Sequence, residues 1–549
     1  MAVDGGPQAP HAGHIQVYDT TLRDGAQQVG ISLSLRDKLS LLERADALGV
    51  DYIEGGGPGS NAKDVEFFRR AAEMSLGARL VAFGSTRRAG RPVEEDTGVA
   101  ALLAAATPAV CVVGKSWDLH VREALATTLD ENLAMIADTV RALKAAGREV
   151  VFDAEHFFDG CAADPGYALA AVDVAAHAGA DWIVLCDTNG GSLPEHVARW
   201  TARAVGGLQC PVGIHTHDDA GLGVANAMAA VAVGARQVQG TWNGYGERCG
   251  NVDLCTLLPN LVLKAGHSCG RGIRLTELTA LSRAVSELCN LPPVPGAPYV
   301  GPNAFAHKGG IHVSAVAKCA RTYEHVPPES VGNRREVVIS ELAGRSNLVY
   351  KVRELGVGEL TEADRHLLLA RIKELEFRGY QFEGAAASFD LLALRMLATY
   401  RVPFAPLRYS VSVSRTGEPQ PQVEATVRVA VGDRVFHTAA DGDGPVNALD
   451  RALRQALEGP YPEISEMQLT DYKVRVIDGR DGTASRVRVL ISTESPDGYW
   501  TTIGVSDNIL DASWLALIDG LEYGLWRRRG GGAQGAPVVG EAAAGRGGV

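Results

Sequence analysis

The chain has 549 residues, of which 46% are hydrophobic and 21% charged, and a formal net charge of −12. That is ample apolar material for large buried cores, and the acidic balance excludes the basic stripe that nonspecific nucleic-acid binding requires. Nine cysteines are scattered with no C-x-x-C pair, which reads as reduced thiols in a cytoplasmic protein, and there is neither a signal-peptide pattern nor an apolar run of membrane-spanning length, so no membrane partner is expected.

Residues 1–13 are rich in Gly, Pro, Ala and His and read as a disordered N-terminus. Eight short apolar runs with polar residues at their ends follow: Ile15–Asp19, Asp51–Gly56, Ala78–Gly84, Ala109–Lys115, Glu149–His156, Asp181–Thr188, Pro211–His217 and Arg236–Gly244. Most are rich in Val, Ile or aromatics, as strands buried on both faces should be. Helix-period stretches lie between them, including Ser34–Leu48, Leu133–Ala146 and Ala168–Ala178, and Gly49, Gly147, Gly179 and Gly234 stand where helices should end. Eight strand–helix alternations predict an α/β fold with a (β/α)8 TIM barrel over 14–285, an open doubly wound sheet being the alternative.

The pattern changes after the barrel. Residues 286–400 read as a linker and helical subdomain, with a Pro/Gly-rich connector at Pro292–Pro302 and a charged helix at Glu359–Glu376. Residues 401–527 read as a C-terminal α+β regulatory domain. Strands at Arg408–Val413, Gln422–Val431 and Arg434–Ala439 precede a helix at Val446–Leu457. The order then recurs with strands at Met467–Ile477, Ser485–Thr493 and Tyr499–Val505 and a helix at Asn508–Trp526, giving two βββα units. Residues 528–549 are Gly/Ala-rich and read as a disordered tail.

In a barrel, chemistry gathers at the carboxyl ends of strands. Reading those ends in order gives Arg23 and Asp24, Glu54, Lys115, Asp153 and Glu155, Asp187 and Thr188, His215 and His217, and Asn243. His215 and His217 stand two apart on one strand, so both imidazoles share a face. With Asp24 they offer two nitrogens and a carboxylate to a divalent metal. His-x-His alone also fits a solvated strand end. Asp218 and Asp219 are positioned to serve as outer acceptors for metal-bound imidazoles. Arg23 beside Asp24 suits a bound carboxylate or a developing enolate, or else a structural ion pair. The loop "NGYGERCGN" at 243–251 is tight and Gly-rich but lacks the P-loop pattern. "AHKGGIHVSAV" at 306–316 is a second Gly-hinged segment, in which His307, Lys308 and His312 are unusual for a linker.

Together "LRDG", "HTHDDAGLGVANA", "GERCGN" and "HKGGIHVSA" resemble, in order, the motifs of the DRE-TIM metallolyases, within them the 2-isopropylmalate, homocitrate and citramalate synthases. The segments "DTTLRDGAQQVGISLSLRDKL", "DYIEGGGPGSNAKD" and "FDAEHFFDG" look most like the long citramalate synthases, and the similarity spans nearly the whole chain.

The resemblance implies that Asp24, His215 and His217 ligate a divalent metal (Mn, Mg, Zn or Co), with Asn251 at or beside it. It implies that Arg23 binds the keto acid and stabilises the enolate oxygen, that Thr188 contacts the keto-acid carboxylate near Asp153, and that Glu155 is an acid/base carboxylate. It places His312, and Tyr323 of "TYEHVPPESVGN", among residues that approach the site from the linker region. The implied activity joins acetyl-CoA to pyruvate in isoleucine biosynthesis, in a homodimer inhibited by isoleucine. A 2-isopropylmalate synthase, a hydroxyacyl-CoA lyase and a nonenzymatic amino-acid sensor are the alternatives. "FDAEH" departs from the more polar segment of the isopropylmalate synthases, Gly57 stands where relatives commonly carry a bulkier residue, and both bear on which keto acid is used.

Overall fold

A computed structural model describes residues 13–337, 361–397, 399–415, 421–477 and 485–529. The N-terminal segment and the Gly/Ala-rich tail read as disordered lie almost wholly outside the described residues. So do the first two residues of the charged helix expected from Glu359.

Eight parallel strands close into a barrel: β1 (His14–Asp19), β2 (Tyr52–Gly56), β3 (Arg79–Ser85), β4 (Ala109–Lys115), β5 (Glu149–Glu155), β6 (Trp182–Asp187), β7 (Val212–Thr216) and β8 (Gln237–Gly240). They pair in chain order, and β1 meets both β8 and β2, which closes the ring and excludes the open sheet. The reason was visible in composition: β2, β6, β7 and β8 are buried at every position, as strands covered by helices outside and side chains inside must be. A short β9 (Ser268–Cys269) extends the sheet beside the start of β1, away from the carboxyl ends.

The intervening helices form where local signals direct. Leu35–Leu48 starts at a reciprocal capping box between Ser34 and Asp37 and ends at Gly49, whose φ of 107° suits glycine. It buries Leu41, Leu42, Ala45 and Leu48. At roughly 1.5–3 kcal/mol for each fully buried leucine, this stripe, rather than helix propensity, fixes the helix to the barrel.

The chain divides into two compact units, one of residues 1–305 with 326–334 and the other of 306–325 with 335–549. In the second, β10 (Ala306–His307) pairs in parallel with β11 (Glu336–Val337). Helices Gly310–Lys318, Glu362–Phe377 and Ala386–Leu394 follow in the chain. The segment 306–316, read as a Gly-hinged linker, is therefore largely helical; its helix is short and carries too little apolar periodicity to announce itself. Two antiparallel three-stranded sheets complete the unit: β12 (Ala405–Ser414), β13 (Gln422–Val431) and β14 (Arg434–Asp441), then β15 (Gln468–Val476), β16 (Val487–Ser495) and β17 (Gly498–Ser506). Helices Pro445–Leu457 and Ile509–Arg528 follow their respective sheets. One apolar core joins both sheets and both helices through residues such as Val427, Leu449, Leu453, Ile491, Trp500 and Leu517. Neither βββα unit therefore buries its face alone.

Candidate active site

The carboxyl end of the barrel brings together most of the residues singled out from sequence. After β1 the chain turns sharply, and the backbone N–H groups of Arg23, Asp24 and Gly25 all donate to the Thr20 carbonyl. That turn aims Asp24 into the barrel. Asp24 Oδ2 lies 3.3 Å from His215 Nε2 and 3.9 Å from His217 Nε2. One ligand atom from each of the three residues lies within 4.8 Å of the others, and all three side chains are buried. Among the described residues no other such cluster was found.

The charges here are mutually dependent. Burial disfavours ionisation of Asp24, yet Arg23 and His215 outweigh it and hold the carboxyl well below the usual range. Burial alone would depress His215, but the Asp24 carboxylate pulls it up to about 9. His217, desolvated and facing a protonated His215, falls to about 4. One negative group thus supports one positive imidazole and leaves the other neutral. A divalent cation would satisfy all three at once.

Two further observations favour a metal. Asn251 bridges backbone to His217, and its Oδ1 is buried without a hydrogen-bond partner, as is His217 Nδ1. An orphaned amide oxygen beside two imidazoles and a carboxylate is a missing-ligand signature. His215 Nδ1 is 2.8 Å from Gln239 Oε1, and Gln239 Nε2 donates to Asp153 Oδ1 at 3.1 Å. This chain fixes the ring so that Nε2 faces Asp24. Asp153 is therefore connected to the cluster through Gln239, and burial pushes its pKa up to about 6.

Asp218 and Asp219 do not serve as the outer acceptors expected of them. Asp218 accepts from the Gly223 N–H, and Asp219 pairs with Arg248 at 2.8 Å. Gln239 takes the role for His215, and sequence pattern passed over it because β8 reads simply as a buried strand.

Arg23 is held on three sides. Its Nε donates to Glu54 Oε2 at 2.6 Å, its guanidinium sits 3.4 Å from Asp24, and it stacks 3.9 Å above the Phe83 ring. Glu54 also accepts from Tyr18 and Thr20. Glu54 stood among the strand-end residues without a role; it anchors Arg23, leaving guanidinium nitrogens for a carboxylate or enolate oxygen.

Glu155, at the end of β5, forms an ion pair with Lys115 at the end of β4. The next residue, His156, has a left-handed backbone (φ 57°, ψ 33°), a costly conformation for a non-glycine residue. Its N–H donates to Thr188 Oγ1 at 3.0 Å, and Arg248 donates to the Thr188 carbonyl at 2.6 Å. Thr188 is thus gripped from β5 and from the 243–251 loop. In that loop Gly244, Gly246 and Gly250 all have positive φ, and a Cβ on Gly250 would lie 1.9 Å from the Gly244 carbonyl oxygen. The glycines permit the close turn that presents Asn251. His312 and Tyr323 belong to the second unit, where their rings stack on each other 4.0 Å apart.

Comparison with known proteins accords with this picture. Residues 14–285 match the HMGL-like family, residues 299–379 the homocitrate synthase post-HMGL domain-like family, and residues 383–525 the LeuA allosteric (dimerisation) domain. This combination defines an HMGL-like barrel synthase with an appended LeuA domain. An (R)-citramalate synthase of Aquifex aeolicus is 50% identical, covering 93% of this chain and 98% of that protein. One of Synechocystis is 50% identical over 93% and 96%. A probable 2-isopropylmalate synthase of Methanopyrus kandleri is 34% identical over 94% and 99%. The chain belongs to the (R)-citramalate synthase family.

Proposed function

We propose that the protein condenses acetyl-CoA with pyruvate and hydrolyses the resulting thioester, releasing (R)-citramalate and CoA. The observation that carries this reading is the buried Asp24/His215/His217 cluster beside Arg23, in a chain half-identical to proteins bearing that name. Asp24, His215 and His217 would hold a divalent ion, with Asn251 offering an oxygen; this donor set accommodates Mn, Co, Zn or Mg. When bound, the ion supplies a Lewis acid for the keto group.

The chain's own residues do the rest. Arg23, kept in place by Glu54, binds the keto acid and faces the charge that develops on oxygen. Thr188 and Asp153 shape the pyruvate end of the pocket. Glu155 accepts a proton from the acetyl methyl group; His312, beside Tyr323, is the other candidate for that base. The methyl carbon bonds to the keto carbon, and the keto oxygen, gaining a proton, becomes the tertiary hydroxyl. Water then breaks the thioester C–S bond to give a carboxylate and free thiol. The methyl proton is weakly acidic, so base, donor and acceptor must be aligned before transfer, which a site built from several strand ends provides.

The LeuA domain supports a homodimer under allosteric control. We assign isoleucine as the effector, the end product of a pathway that citramalate feeds. A cavity of about 610 Å³ in that domain has Asp450, Arg454, Leu469 and Tyr472 in its wall, with Asp450 and Arg454 paired to each other at 2.8 Å, and is the volume in that domain where we would place the amino acid. No described helix is long and apolar enough to cross a membrane, which fits a cytoplasmic enzyme.

The test is thiol release from acetyl-CoA with a divalent metal and a panel of keto acids. Pyruvate-dependent release abolished by EDTA is expected. Preference for 2-ketoisovalerate would move the assignment to 2-isopropylmalate synthase with the mechanism intact, and no release with any keto acid would overturn it.

A further inference from the structure

The pairing between β5 and β6 stops short of the site. Its last backbone partners are Ala154 and Leu185, whereas on the other side β5 stays paired to β4 as far as Lys115 and Glu155. Glu155 and Thr188 therefore stand on neighbouring strand ends with no ladder rung between them, although one is assigned to the acetyl proton and the other to the keto acid. Their spacing has to be set by something other than the sheet.

His156 stands at that junction. It is buried, and its left-handed backbone turns the chain between Glu155 and the helix Phe157–Ala163. On the β4 side, Ser116 donates through its N–H and its hydroxyl to the Glu155 carbonyl, at 3.2 and 2.7 Å. On the β6 side, the His156 N–H donates to Thr188 Oγ1. Because that oxygen accepts from the backbone, the Thr188 hydroxyl proton is left to donate to a substrate carboxylate. The His156 side chain is gripped as well. Its Nδ1 lies 3.0 Å from Asp159 Oδ2, and the same oxygen accepts from Asn189 Nδ2 at 3.0 Å, which closes a loop to the residue after Thr188. Its ring centroid lies 4.1 Å from that of His120, which stacks in turn on Trp117 at 5.2 Å. His120 is on the helix Asp118–Glu123 that follows β4. Burial, with His156 and Lys115 nearby, holds the His120 imidazole below its usual pKa, so it packs as a neutral ring.

We infer that His156 sets Glu155 against Thr188: its ring, held by Asp159 and packed on His120, fixes the left-handed turn that aims the acid/base carboxylate to one side and the keto-acid contact to the other. A strained backbone persists only where its surroundings over-determine it, and here one side chain ties together the segments that follow β4, β5 and β6. The inference rests on the roles proposed above for Glu155 and Thr188 and adds the group that registers one with the other. His156 acts through both and is a positioning residue, supported by Asp159.

Two variants test this. Asp159→Ala keeps His156 but removes its grip. With the keto acid that the wild type prefers, it should lower kcat by about 10-fold and raise KM for that acid several-fold, leaving KM for acetyl-CoA unchanged. His156→Gly suits the left-handed backbone but has no ring, and should show the same split. Wild-type kinetics in either variant would overturn the inference, since the turn would then need only its backbone. So would an equal rise in both KM values, the mark of a general loss of structure. Amide hydrogen exchange read by mass spectrometry separates this from a failure of the proposed function. If the wild type turns over no keto acid, faster exchange of both 156–160 and 188–191 in Asp159→Ala still upholds the positioning role, and unchanged exchange in either segment rejects it.

Discussion

The barrel mouth and the paired βββα sheets treat polar groups in opposite ways. Among the described residues, all seven non-glycine residues with positive φ, from Ala106 to Tyr299, lie in the barrel unit, and three of them, His156, Asn243 and Arg248, sit in loops at the site. Buried polar atoms without partners, such as His217 Nδ1, Asn251 Oδ1 and His120 Nδ1, occur there too. In the second unit the buried charges are matched. Arg395 bonds both Asp519 and Glu522, Tyr400 donates to Glu522, and Ser388 donates to Asp519. Strain and unmet hydrogen bonds cost stability and persist where they serve binding or catalysis. The contrast therefore separates a region built to react from one built to hold and to transmit.

That contrast can be broken or sharpened by experiment. The largest effect should come from the Asp24/His215/His217 cluster: dialysis against EDTA, or His217→Ala, should cut keto-acid-dependent thiol release by about 10³-fold, and EDTA-treated protein should recover on adding a divalent ion. In the second unit, Arg395→Leu leaves two buried carboxylates facing each other and should lower unfolding free energy by about 3 kcal/mol, read by chemical denaturation, while the barrel site keeps its chemistry. A variant as stable as wild type would erase the distinction drawn here.

Glu155→Gln should slow turnover by about 10²-fold with little change in KM for pyruvate; near-normal turnover would pass the base role to His312. Gln239→Met frees the His215 ring, and metal affinity, measured by competition with a chelator, should fall by about tenfold. The smallest effect concerns pH. Burial lifts Asp19 to about 6, against 3.8 for the free carboxyl. The folded state then holds a proton that the unfolded state has lost between those values, so this group's contribution to stability falls as pH rises from about 4 to about 6 and stays low above. Asp19→Asn should remove that slope from the pH dependence of unfolding. An unchanged slope would show that its three donors, two from Thr21 and one from Trp242, already keep it ionised.

Much of the molecule was legible in its sequence because the governing signals are local or periodic. Strands buried on both faces must be apolar throughout, so all eight barrel strands stand within a few residues of their apolar runs. The repeated βββα order was visible for the same reason: alternation marks strands, and the apolar stripe of Pro445–Leu457 marks its helix. His215 and His217 were readable as one pair, since a two-residue spacing on a strand fixes a common face. Tertiary structure decided what these residues do to one another. That β1 closes on β8 brings Asp24 to histidines almost two hundred positions away. Gln239, Glu54 and the Lys115–Glu155 pair take their roles from the pairing of neighbouring strands, because a hydrogen bond between strands depends on register and strand order. Asp218 and Asp219 show the converse: next to His217 in sequence, they are drawn to Gly223 and Arg248. Sequence sets which faces must be buried, and only the closed barrel sets which polar groups meet inside it.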